Sequence, residues 1–255
     1  SGSGSFWITK GDLSGAGSVQ TLLGISATAN NERIARFTVT GNGVNGSNNE
    51  MIVTETGLAL QKGGSYPDNP AGLTWKRFIG IHPARASNVI VHGTVSGAKV
   101  NATNDGVVLF LESGGVAMTL LREGDLLPGG GGAKIGSILK VDAQPGDPSG
   151  SYLILATLTG APADANLVLL AGRSSLGNNI VRTPKLPFVM LRKGQLTQRP
   201  AGYLGRLTGI QLSGKNTNSS GFGGGGQLHW QGGEGKAIMR LDWNGKESEV
   251  VRAHW

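Results

Sequence analysis

One pattern recurs four times along this chain. A short run of strand-forming residues ends in a charged or polar residue, a glycine and then a polar or small residue. It reads Phe6-Trp7-Ile8-Thr9-Lys10-Gly11-Asp12, then Leu58-Ala59-Leu60-Gln61-Lys62-Gly63-Gly64. It returns as Thr119-Leu120-Leu121-Arg122-Glu123-Gly124-Asp125 and Val189-Met190-Leu191-Arg192-Lys193-Gly194-Gln195. Repeats spaced by several tens of residues point to stacked units, because one small unit cannot cover its own apolar faces.

Three further landmarks follow each glycine. The second is a short strand with Gly and Ile: Leu23-Gly24-Ile25, Ile79-Gly80-Ile81, Gly136-Ser137-Ile138 and Thr208-Gly209-Ile210. The third closes on glycine, as Thr38-Val39-Thr40-Gly41, Thr94-Val95-Ser96-Gly97 and Thr157-Leu158-Thr159-Gly160, and degrades to Leu228-His229-Trp230-Gln231-Gly232. The fourth is apolar: Met51-Ile52-Val53, Val107-Val108-Leu109-Phe110, Leu167-Val168-Leu169-Leu170 and Ala237-Ile238-Met239-Arg240-Leu241. Glycine, 44 residues of 255, punctuates these runs and leaves hardly any helical stretch. The expected fold class is all-β, a propeller-like array of about four blades, each of four antiparallel strands. The copies are placed at 6–57, 58–115, 116–185 and 186–247 of a single repeat domain, 6–255, with 1–5 a linker or processing scar.

The last residues raise a question of closure. Asn244-Gly245 is a type I′ hairpin signal. It leads into a terminal strand, 248–255, that by position matches Phe6 to Lys10. Two strands then compete for one place: one is a spare outer strand, or the chain is cut from a longer array, or the spare edge pairs with another subunit. Phe6, Trp7, Ile8, Val250, Val251 and Trp255 are the candidate strand-closure or assembly residues, and an unpaired edge is a site for strand addition.

Chemistry is sparse. Without cysteine there is no disulfide, thiolate metal site or thiol nucleophile. His82, His92, His229 and His254 show no metal-ligand spacing. Asp12 and Asp125 read as turn residues. The glycine runs 129–132 and 223–226 read as hairpin loops, since no helix or Lys-Ser/Thr follows them to make a phosphate loop. No cofactor, metal or catalytic residue is expected. Trp7, Trp75, Trp230 and Trp243 are the candidate ligand-binding residues, as stacking faces for a sugar or plugs for a partner's pocket, beside a packing role. Asn101-Ala102-Thr103 and Asn218-Ser219-Ser220 match the glycosylation sequon. The net charge is +7, but the basic residues are scattered, which argues against nucleic acid. No run is long and apolar enough for a transmembrane helix, and no basic-then-apolar leader is read at the start.

The stretch Leu120-Leu121-Arg122-Glu123-Gly124-Asp125-Leu126-Leu127-Pro128-Gly129-Gly130, with the degenerate NNERIARF at 30–37, resembles bacterial exported tandem-repeat proteins with the NxxGxxAF motif (the choice-of-anchor type). The resemblance implies an extracellular or cell-surface repeat protein and supplies no catalytic residue. The expected function is a non-enzymatic exported binding or scaffold module, with a glycan or protein ligand. The alternatives are a structural subunit polymerising by terminal strand exchange, with homo-oligomers formed through edge strands, or a carbohydrate-active enzyme with carboxylates in a central channel.

Overall fold

The computed structural model describes residues 11, 13–14, 17–27, 33–55, 59–68, 72–84, 88–112, 117–127, 129–144, 150–173, 186–199, 202–212, 236–244 and 247–255. Among them the chain is all-β, with one 3₁₀ turn at Ala163–Ala165. The first sheet holds β1 (Leu13–Ser14), β2 (Gly17–Ala27), β3 (Arg33–Thr40), β4 (Glu50–Thr54) and β5 (Ala59–Gln61). The second holds β6 (Thr74–Pro83), β7 (Val89–Ser96), β8 (Gly106–Leu111) and β9 (Ala117–Arg122). The third holds β10 (Lys134–Ala143), β11 (Ser151–Thr159), β12 (Leu167–Arg173) and β13 (Phe188–Arg192). The fourth holds β14 (Leu196–Gln198), β15 (Leu204–Leu212), β16 (Lys236–Trp243) and β17 (Ser248–His254). Every pairing is antiparallel and joins strands adjacent in sequence, so each sheet is a simple meander.

The recurring glycine has a mechanical role. Gly11, Gly63, Gly124 and Gly194 all adopt left-handed backbone, with φ of 93°, 78°, 89° and 88°. A side chain there would set Cβ against its own carbonyl, so glycine is the residue of least cost. Each glycine N–H then donates to a carbonyl on the long strand of the following sheet: Val19, Trp75, Ile135 and Leu207, at 2.7–2.8 Å. The glycine is thus a junction between one sheet and the next. The strand before it closes a sheet, as β5, β9 and β13 do. Counted by sheets, the repeat therefore begins one strand later than copies counted from the glycine.

Those four carbonyl residues fix the equivalence of the sheets. They pair with Val39, Val95, Leu158 and Trp243 on the next strand. Each of these four donates its N–H to a residue that closes the following hairpin: Asn49, Asp105, Asn166 and Glu247. The fourth repeat is corrected by this register. β16 holds the third-landmark place expected at 228–232, residues outside those described, and β17 holds the fourth. The second landmark shifts as well: Gly24 and Gly80 are equivalent, but Lys140 and Gln211 stand at their place, not Gly136 and Gly209. Short glycine motifs in irregular strands align by appearance, whereas the β-bulges that interrupt β2, β6, β10 and β15 decide the real register.

The hairpins between third- and fourth-place strands repeat in detail. Asn45 Oδ1 accepts from the Ser47 N–H and hydroxyl, and Asn101 Oδ1 does the same for Thr103. Asn48 and Asn104 cap the other side of each loop. The sequon asparagine Asn101 is thus a loop staple, of the kind Asn forms in turns.

The sheets bury apolar surface against one another. One core joins the first and second sheets through Ile34, Ile52, Trp75, Phe78 and Val107. A second joins the second and third through Ile90, Phe110, Tyr152 and Ile154, and a third joins the third and fourth through Leu153, Leu169, Leu207 and Met239. A fourth cluster, Val19, Ala35, Phe37, Val39 and Met51, lies on the first sheet alone. Among the described residues, no core joins the fourth sheet to the first. β7, β8, β11 and β12 are consequently buried on both faces, while β15 and β17 alternate between covered and exposed residues.

Candidate functional site

The fourth sheet differs from its siblings on one face. Ile52, Val108 and Leu169 stand at one equivalent position, all turned towards the next sheet, and are 1%, 0% and 0% exposed. Val250 occupies that position in the fourth sheet and is 75% exposed. Arg206, Thr208, Gln211, Arg240, Arg252 and His254 are exposed on the fourth sheet as well. Arg240 Nε donates to Asp242 at 2.9 Å and its Nη2 to Ser248 at 3.0 Å, an exposed polar mesh where Arg36 and His92 stand buried in the first two sheets. No strand among the described residues pairs with the outer edge of β17, whereas β4, β8 and β12 each carry a closing strand there.

The covered face of the same sheet carries an ionic clamp. Arg199 follows β14, at the place held by Tyr66 and Leu127 in the second and third sheets. Tyr66 packs edge-on to Trp75, 5.0 Å between centroids, and its hydroxyl lies 2.6 Å from Thr119 on the closing strand β9. Arg199 instead lies between Tyr203 and Trp243, 4.5 and 5.3 Å from their ring centroids. It donates to Glu249 at 2.6 and 3.1 Å and also to Glu247. Gly205 makes the room, because a Cβ there would meet Arg199 Cδ at 2.7 Å. The clamp ties β14 to β17. Both carboxylates are held by the arginine.

The sequence-derived candidates separate on this scaffold. Trp75 and Trp243 are 1% and 2% exposed, within the cores, and offer no face to a sugar. Sequence position could not distinguish these roles, because a tryptophan at a strand end packs inward or outward according to register. Trp7 and Trp230, with Phe6 and Ile8, lie outside the described residues. Val251 and Trp255 turn inward onto the core between the third and fourth sheets, and the Trp255 carbonyl accepts from Arg173 at 2.5 Å. Only Val250 of the terminal strand's candidates faces water.

The fold also assembles pairs that spacing did not show. His82 and His92 come together across β6 and β7, both buried, with His92 opposite Gly80. Burial, with a contribution from His82, pushes the His92 pKa down to about 3. Arg36 and Glu50 form a buried pair at 2.5 Å, and Arg36 Nη1 crosses to the Ile79 carbonyl of the second sheet at 2.8 Å. Among the described residues, no three His, Cys, Asp or Glu side chains gather in a metal-binding group, and no helix is long and apolar enough to cross a membrane. The architecture has to be read from its own physics, because comparison with family models, curated proteins and solved structures returned no match.

Proposed function

We propose that the chain is a non-enzymatic binding or scaffold module of an exported protein, its sheets set as blades of a propeller-like array. The observation that carries this reading is the division of labour among polar side chains. Some of them tie strands and sheets: Arg36 to Glu50 and across to the Ile79 carbonyl, Arg199 to its two glutamates within the fourth sheet, and Glu123 to the backbone N–H groups of Gly106 and Ile138. The fourth sheet sets out a broad exposed face of mixed polar and basic groups around Val250. Such a face suits an anionic glycan or an acidic protein surface, since arginines grip carboxylates and sulfates with paired N–H groups. The resemblance to exported tandem-repeat proteins supports a place outside the cell.

The test is a glycan array probed with the wild-type chain and an Arg206→Glu/Arg240→Glu variant. Retention of an acidic glycan by the wild type, lost in the variant at unchanged circular dichroism, is the expected result. Equal retention of both proteins would remove this face from the function. A second reading is favoured by a separate observation, that no strand among the described residues pairs with the outer edge of β17: the chain is a structural subunit that joins its neighbours by strand exchange.

A further inference from the structure

We propose that Asn45 is a self-modifying residue: the Gly46 nitrogen displaces its side-chain amide, and water then opens the product to aspartate and isoaspartate. The site is the hairpin between β3 and β4, and the inference is independent of the binding face on the fourth sheet. Asn45, Gly46 and Ser47 are all exposed, so water reaches the loop. The Asn48 N–H donates to the Asn45 carbonyl at 3.1 Å and closes the turn, and the Asn45 N–H donates to Asn48 Oδ1 at 2.7 Å.

Within this turn the groups that would react are distinct from the groups that hold. Asn45 Oδ1 accepts from the Ser47 N–H at 2.8 Å and from the Ser47 hydroxyl at 2.5 Å. These donors fold the side chain back over the Gly46 peptide, as in any turn where an Asn side chain mimics the backbone. They also stand where an oxyanion develops when Cγ is attacked. Among the described residues, the Gly46 N–H and Asn45 Nδ2 donate to no acceptor. Asn48, by contrast, donates its Nδ2 to the Gly43 carbonyl at 3.0 Å. Nucleophile and leaving group are therefore unencumbered, while the oxygen of the reacting carbonyl is held twice.

The step balances. The Gly46 nitrogen loses its proton and bonds to Asn45 Cγ. The Cγ–Nδ2 bond breaks, ammonia leaves with that proton, and a cyclic imide closes. Water adds to either imide carbonyl. One opening gives aspartate at position 45, and the other gives isoaspartate, whose main chain runs through Cβ and Cγ.

Two other asparagines serve as comparisons. Asn101 Oδ1 accepts from the Thr103 N–H at 2.8 Å and hydroxyl at 2.6 Å, and Asn104 Nδ2 donates to the Lys99 carbonyl at 3.1 Å. At the attacking nitrogen, however, Ala102 replaces Gly46, and its Cβ crowds the approach to Cγ. Asn42-Gly43 keeps the glycine, but no donor holds the Asn42 side chain among the described residues. The modification also has a structural consequence. Lys62 donates to the Gly46 carbonyl, and Gln61 to the Asn48 carbonyl at 2.7 Å, so the loop latches the closing strand β5. An extra main-chain carbon at position 45 displaces those acceptors and frees the strand.

The test ages the full chain at neutral pH, folded and in parallel unfolded in urea. Peptide mass spectrometry reads the exchange of NH2 for OH at each asparagine. Asn45 should convert about tenfold faster in the folded chain, the effect of one charge-assisted hydrogen bond on the barrier, and ahead of Asn42 and Asn101. Ser47→Ala should remove that gain and leave the rate in urea unchanged. A Cβ at Gly46 meets nothing within 4 Å, so Gly46→Ala is accommodated and should slow Asn45 to the rate of Asn101. Ala102→Gly should raise Asn101 to the rate of Asn45. Hydrogen exchange in β5 should rise in step with isoaspartate. Conversion of Asn45 no faster in the folded chain than in urea overturns the proposal, and so does a folded Ser47→Ala chain that converts as fast as the wild type.

Discussion

Arg36, His92, Leu155 and Arg240 occupy one equivalent position in the four sheets, and the four side chains show how burial selects chemistry. Arg36 is buried and held by Glu50 and the Ile79 carbonyl. Replacing Arg36 by Ala leaves the Glu50 carboxylate buried and unpaired, and the expected loss is about 3–5 kcal/mol in urea unfolding. His92 is buried and neutral. Its pKa falls from 6.5 to about 3 on folding, so the unfolded chain binds the proton more readily. The stabilisation is complete above about pH 6.5 and is lost as pH falls towards 3, at a slope approaching about 1.4 kcal/mol per pH unit. In a His92→Leu chain, which copies the third sheet, the urea midpoint should fall less steeply over that interval. Equal slopes in the two proteins would reject the assignment. Gly124, at φ of 89°, tests the junction: Gly124→Ala should cost about 1–2 kcal/mol, read from the thermal midpoint.

At the scale of the element, the closing strands are held by more than ladder bonds. Gln61, Arg122 and Arg192 donate from β5, β9 and β13 to the hairpin carbonyls of Asn48, Asn104 and Ala165. Each closing strand is thereby latched to the loop between its two neighbours. Arg122→Leu should loosen β9 selectively, with faster amide hydrogen exchange there than in β7. The hairpin staples are a second device. Asn101→Ala removes the two hydrogen bonds from Thr103, and a loss near 1 kcal/mol is expected in denaturant unfolding. The Trp243 N–H donates to the Glu247 carbonyl where β16 passes to β17, and these strands hold the third and fourth places of their sheet.

The whole molecule is a series of sheets in which each interior face is shared. Protection from hydrogen exchange should therefore peak in β7, β8, β11 and β12, which are covered on both sides, and fall off in β14 and β17. A uniform exchange profile across the sheets would contradict this nearest-neighbour picture of stability. Among the described residues the fourth sheet ends the series of shared cores, and its polar mesh around Arg240 lies in water.

The all-β class, the fourfold recurrence and the glycine junctions are local properties, and the sequence alone determined them. A left-handed turn favours glycine, although Lys99 adopts it at φ of 65°, and short β-branched runs between such turns read as strands. Tertiary structure decided which strand belongs to which sheet. A closing strand and an opening strand make the same ladder bonds and carry the same residue types, so the phase of the repeat is invisible until the glycine N–H finds its acceptor on the following sheet. The buried histidine pair, the Arg199 clamp and the inward tryptophans depend on that same register. They are contacts between residues distant along the chain, whose partners are set by bulges that shift pairing one residue at a time.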